Sequence, residues 1–201
     1  MGITVEELRQ AAHALARTAE AAADELNAQD GKLGDGDLGV TLRKGWQAVA
    51  ESAAEFPDDM GMAFLSCSKA FQKVSSSSFG TLVATGFMSA AKAAKGRREL
   101  EWSEVAGLLV GARDAMMARG KGALGDKTVL DSLDAAAKAT AGLSDPAEIL
   151  AAVDAAADDA LAAFRQKPNR LGRARVYAER SIGLDDPGML AFRRLLDGLK
   201  G

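Results

Sequence analysis

The chain has 201 residues, a formal net charge of −3, one cysteine and one histidine. That length gives one domain spanning residues 1–201 with a sizeable core and is marginal for two. The weak negative charge gives no support for nucleic-acid binding, and one cysteine excludes an intrachain disulfide.

The pattern reads as helix after helix, because alanine and leucine dominate and runs of β-branched or aromatic residues are nearly absent. Thr4 and Glu7 form a capping-box pair that starts the first helix, and Val5, Leu8, Ala12, Leu15 and Ala22 recur at helical spacing up to about Asn27. An aspartate- and glycine-rich loop follows over residues 30–39. A second helix is predicted from about Gly39 to Ala54, stopping before Pro57, and a third from about Asp59 to Val74. Ser75–Ser78 interrupts the pattern, and a fourth helix spans about Phe79 to Lys95. Ser103 is the expected cap of a fifth helix ending near Ala118, before a loop with Gly120, Gly122 and Gly125. The sixth runs from about Lys127 to Thr140. Asp145-Pro146-Ala147-Glu148 opens the seventh, which reaches about Gln166, and the last runs from about Gly188 to Leu199. Residues 167–187 read as a glycine- and arginine-rich loop. Eight helices on short connections predict an all-α antiparallel bundle, and alternating directions gather the unusual loops at one end.

Residues 34–39, Gly-Asp-Gly-Asp-Leu-Gly, carry the strongest chemical signal, together with Asp30. Asp30, Asp35 and Asp37 repel one another unless a cation lies among them. Hard carboxylate oxygens aimed at one point suit Mg²⁺ with phosphate. The same residues also make ordinary turns. An EF-hand is excluded, since counting from Asp35 puts Gly39 and Trp46 at positions that require ligands. Ser75–Ser78 with Gly80 precedes a helix, where free amides and the helix dipole favour an anion. Gly125-Asp126-Lys127-Thr128 opens another helix but lacks the order of a P-loop. Arg173, Arg175 and Arg180 precede Asp185-Asp186-Pro187-Gly188 and offer bidentate donors to phosphate. Cys67 lies in an apolar stretch and reads as a core residue, and His13 receives no role. The N-terminus shows no secretory pattern and no apolar run is long enough to cross a membrane, so a cytoplasmic protein is expected.

The order of these motifs, continued by Gly172-Arg173-Ala174, Glu179-Arg180-Ser181-Ile182-Gly183 and Asp186-Pro187-Gly188, resembles the nucleotide-binding L subunit, or C-terminal domain, of dihydroxyacetone kinases. The resemblance spans nearly the whole chain. It implies an eight-helix antiparallel barrel with ADP or ATP and two Mg²⁺ ions in the loops at one end. Asp30, Asp35 and Asp37 are then the metal ligands, and Ser77, Ser78 and Gly80 lie near the phosphates. Thr128, Val129 and Leu130 lie near the adenine. Arg180 reaches the phosphates as the catalytic cation, and Asp186, Pro187 and Gly188 cap the nucleotide.

Two positions depart from the family pattern. Ser76-Ser77-Ser78-Phe79-Gly80 stands where Gly-Gly-Ser-Ser-Gly is common, and Leu38 stands where phosphotransferase-linked members often have histidine. The Gly36 spacing is closer to the ATP-using members, although ATP and a phosphoprotein both remain open as phosphate sources. In the family a K-type subunit or domain holds the small keto-sugar covalently through a histidine. With His13 alone, this chain is expected to need such a partner. A nucleotide-binding regulatory protein without turnover is the alternative from another class, and a plain helical scaffold is a third.

Overall fold

The structure is a computed structural model and describes residues 2–75 and 77–200. Among these residues there are eight α-helices: α1 (Val5–Leu33), α2 (Leu38–Ser52), α3 (Met60–Val74), α4 (Ser78–Ala93), α5 (Val105–Gly120), α6 (Val129–Ala139), α7 (Pro146–Arg165) and α8 (Pro187–Asp197). Each helix packs on the next and α8 returns to α1, so the ring closes. The expected eight-helix antiparallel barrel is therefore the observed fold. None of the helices is long and apolar enough to cross a membrane.

Local chemistry explains where these helices begin. The Thr4 hydroxyl and the Glu7 side chain cap α1 reciprocally, and Thr128 and Asp131 do the same for α6. Asp59, Asp145 and Asp186 accept bonds from first-turn amides of α3, α7 and α8, the last two followed by a proline whose missing N–H costs nothing there. Inward-facing Leu26, Leu42, Val49, Met60, Phe71 and Met189 are fully buried. Trp46 meets the rings of Phe71 and Phe87 edge-on, at 5.5 and 5.7 Å between centroids. Cys67 is buried here, and burial pushes its thiol up to about 12, which leaves it inert as a nucleophile.

Four differences from the sequence reading matter. α1 continues past Asn27 to Leu33, so Asp30 is helical and the aspartate turn shrinks to residues 34–37. Leu33 is buried and anchors this added stretch against the core. Ser103 does not cap α5. It lies inside a 3-10 turn, Trp102–Glu104, which Glu101 and Glu104 cap together. Two short strands, β1 (Ile3–Thr4) and β2 (Glu99–Leu100), pair antiparallel at the end of the barrel opposite the aspartate turn. Residues 167–187 are not wholly irregular, because Arg173–Ser181 forms a 3-10 helix.

Candidate functional site

In an up-and-down barrel every odd-to-even connection falls at the same end. Those four connections are the aspartate turn, the serine turn, the glycine loop of residues 121–128 and the long segment between α7 and α8. Direct bonds tie them together. Thr41 Oγ1 of α2 donates to Ser77 Oγ at 3.3 Å, and Gln29 Nε2 of α1 donates to the Asp185 carbonyl at 2.7 Å. Arg170 N–H donates to the Asp126 carbonyl at 2.9 Å. A Phe79 ring carbon lies 3.0 Å from where a side chain on Gly188 would begin, so the serine turn packs directly on the start of α8.

Asp30, Asp35 and Asp37 converge as expected, each offering a carboxylate oxygen within 4.8 Å of the others. Asp30 projects from the last turns of α1, and its Oδ2 accepts the Asp37 amide at 3.0 Å. Gly36 sits between the other two at φ +75°, a left-handed conformation that suits glycine. Arg173, on the 3-10 helix, makes an ion pair with Asp35. One guanidinium against three carboxylates leaves an excess of negative charge, and the donor set is all hard oxygen. Both features fit Mg²⁺.

The serine turn is built differently from a ring of free hydroxyls. Ser77 is the N-cap of α4, and its Oγ accepts the Gly80 amide at 3.0 Å. Ser75 Oγ lies 3.1 Å from Ser77 Oγ. Ser78 is the exposed first residue of α4 and Gly80 is buried. Ser76, part of the predicted cradle, lies outside the described residues. The Ser78 and Phe79 amides precede any acceptor within their own helix, which leaves donors for an anion there.

Thr128 caps α6 and accepts the Leu130 amide at 3.2 Å. Val129 and Leu130 are buried with Met116 and Leu133, and Phe79 of the serine turn packs on that cluster. They form the wall beside the serine turn. Arg180 is exposed, its guanidinium carbon 5.2 Å from the centre of the Tyr177 ring. Asp186, Pro187 and Gly188 are buried at the start of α8.

Lys127 is where sequence reading saw least. Its side chain is fully buried, and Nζ donates to the carbonyls of Arg165, Lys167 and Ser181 at 3.2, 2.8 and 2.8 Å. Burial lowers its pKa, and the nearby Asp186 and Asp185 charges oppose that effect. Asn169 Nδ2 donates both to the Lys127 carbonyl and to Asp186 Oδ2, at 2.7 Å each. Together Lys127 and Asn169 hold the segment between α7 and α8 against the start of α6. Arg165 pairs bidentately with Asp185, both bonds at 2.8 Å.

Burial raises the Asp186 carboxyl to about 6, against bonds from the Met189 amide and Asn169 that favour the charged form. The sign of the linkage follows. From about pH 4 to about pH 6 the folded state holds a proton that the unfolded chain has lost, so this group's contribution to stability falls as pH rises through that window. Urea unfolding of the wild type and Asp186→Asn across pH 4–7 is expected to give a stability difference that moves against the wild type up to about pH 6 and is flat above. A pH-independent difference would contradict the buried-acid assignment.

The fold and this end of the molecule define a closed eight-helix barrel with three convergent carboxylates among its odd-to-even loops. A model of the DAK2 domain matches residues 32–201, and the chain belongs to the DAK2 domain family. It is 30% identical over 171 residues to the PEP-dependent dihydroxyacetone kinase ADP-binding subunit DhaL of Escherichia coli (strain K12), covering 81% of this chain and 80% of that one. It is also 30% identical over 176 residues to the corresponding subunit of kinase 2 from Listeria innocua serovar 6a, covering 82% and 79%. The D-erythrulose kinase of Mycolicibacterium smegmatis is 33% identical over 195 residues, and the match spans 33% of that longer protein. The crystal structure of the C. freundii dihydroxyacetone kinase in complex with AMP-PNP and Mg²⁺ superposes with a TM-score of 0.75 at 22% identity, over 99% of this chain and 34% of that one.

Proposed function

We propose that this chain is the nucleotide-binding component of a dihydroxyacetone-type kinase, holding ADP or ATP with Mg²⁺ where the four odd-to-even connections meet. The convergence of Asp30, Asp35 and Asp37 carries the reading. Oxygens around an octahedral Mg²⁺ stand about 3 to 4.2 Å apart, and these carboxylates already bring one oxygen each within 4.8 Å of the others. When bound, Mg²⁺, two ions by the family resemblance, offsets charge on the phosphate oxygens during transfer.

The chain's own residues act by position. The first amides of α4, in the turn of Ser77, Ser78 and Gly80, face the phosphates with the positive end of the helix dipole behind them. The Ser77 hydroxyl fixes that turn, so backbone amides do the binding. Arg180 is exposed and supplies the catalytic cation for the transferred group. Thr128, Val129 and Leu130 line the base side, closed by Asp186, Pro187 and Gly188.

The ketose is held elsewhere. His13 lies 17 residues before Asp30 on the same helix, about 25 Å along its axis. No histidine near the carboxylates can anchor a carbonyl sugar, so a K-type partner supplies it and this chain alone transfers nothing to the sugar. A reducing cytoplasm suits the single buried thiol.

A thermal melt with ADP or ATP, with and without Mg²⁺, tests the site. Nucleotide at about 100 times its dissociation constant stabilises by about 2.7 kcal/mol, and that shift requires Mg²⁺ and vanishes in Asp35→Asn. Absence of any shift in wild-type protein freed of nucleotide would overturn the reading. Mixing with a K-type subunit, dihydroxyacetone or erythrulose, and either ATP or a phosphoenolpyruvate-driven phosphoprotein then separates a kinase from a binding protein and one donor from the other.

A further inference from the structure

α2 is capped from outside itself. Its N-cap residue is Asp37, yet among the described residues the Asp37 side chain makes no capping bond. The other aspartate N-caps, Asp59, Asp145 and Asp186, each bind amides of their own helix. The third-position amide of α2 belongs to Val40, and it donates instead to Asn27 Oδ1 on α1 at 3.2 Å. Asn27 lies one turn before Asp30 on that helix. The close approach of α1 and α2 at Gly39 brings the Asn27 amide over the start of α2.

A carboxylate at an N-cap is ordinarily drawn to the amides of the helix it begins. If Asp37 bonded to Val40, its oxygens would turn away from Asp30 and Asp35. We infer that Asn27 is a positioning residue that caps α2 in place of Asp37 and so leaves the Asp37 carboxylate to the metal. The inference rests on the reading of Asp30, Asp35 and Asp37 as Mg²⁺ ligands. Asn27 touches no ligand itself and acts through the residue it relieves of capping, as outer partners of a metal site do.

The test is Mn²⁺ titration by electron paramagnetic resonance on the purified chain, beside a metal-free thermal melt. Asn27→Ala is expected to weaken Mn²⁺ binding by about 10-fold or more, the usual effect of losing an outer partner. Asn27→Asp keeps an acceptor at the same reach and is expected to restore binding. In an Asp37→Asn background the Asn27→Ala penalty should disappear. A lower melting temperature with unchanged Mn²⁺ affinity would make Asn27 a helix cap only and overturn the inference. Should Asn27→Ala fail to fold, Asn27→Ser, too short to reach the Val40 amide, takes its place with the same expectation. Wild-type binding no tighter than that of Asp35→Asn would instead sink the metal-site reading, and this inference with it.

Discussion

Lys127→Met is expected to cost about 4 kcal/mol, in line with removing one member of a buried charged network. Methionine matches the length of the lysine stem, so the packing around it is kept and the loss is almost purely polar. Three ammonium protons meet three carbonyls, those of Arg165, Lys167 and Ser181. Without them the Lys167 carbonyl loses its lysine donor, at about 1–3 kcal/mol for a buried acceptor left unpaired. The Arg165 and Ser181 carbonyls each drop from two bonds to one, keeping the Gly183 and Leu184 amides at 2.8 and 3.2 Å. Asp186 also loses the Lys127 charge, which favours its ionised form. For a domain of this size 1 kcal/mol moves the melting temperature by about 2–4 °C, so a drop of roughly 10 °C is expected by calorimetry. The midpoint of the Asp186 titration should also move above about 6. A loss below about 1 kcal/mol would mean that these carbonyls are satisfied without the lysine, and that Lys127 does not hold this end together.

That role was hidden in the sequence for a physical reason. Gly125-Asp126-Lys127-Thr128 looks locally like a loop with a solvated lysine. Its partners lie 38 to 54 residues away, on a backbone whose course no local pattern sets. The same holds for β1 and β2, two residues each and almost a hundred positions apart. What was legible was local. The Thr4–Glu7 capping pair and the Asp145-Pro146 start marked two helix beginnings, and Pro57 and the serine run bounded others. The eight-helix count then followed, and with it the gathering of odd-to-even loops at one end. Asp30, Asp35 and Asp37 could be grouped because glycine spacing and like charge are both visible in a short stretch.

The extension of α1 to Leu33 was not legible. Asn27-Ala28-Gln29-Asp30-Gly31-Lys32 is polar and contains a glycine, which costs a helix about 1 kcal/mol. Burial of Leu26 and Leu33 on the inner face outweighs that cost. Missing the extension hid Asn27 and Gln29, which look like loop residues until the helix runs through them. Arg173 was visible as one of several arginines, but its pairing with Asp35 was not, because the 3-10 helix that carries it has no hydrophobic pattern.

Gly39→Ala should separate helix propensity from packing at the place where the site depends on both. In an isolated helix the change stabilises by up to about 1 kcal/mol. Here the new methyl would overlap the Ala23 carbonyl of α1 and come within 2.8 Å of Asn27 Oδ1. The carbonyl is helix backbone and cannot swing aside as a side chain would, so α1 and α2 must part. Overpacking of this kind costs about 1–3 kcal/mol, and the net effect is expected to be destabilising despite the better helix former. The displacement also carries Asp37, two residues before Gly39, away from Asp30 on α1. Each 1.4 kcal/mol lost from metal binding is tenfold in affinity, so Mn²⁺ binding is expected to weaken by at least about tenfold. Gly107→Ala on α5 is the control, because nothing lies within 4 Å of its added carbon. That variant should gain about 0.5–1 kcal/mol with unchanged Mn²⁺ affinity. If Gly39→Ala matched it in both measurements, the contact between α1 and α2 would not be what brings the carboxylates to one point.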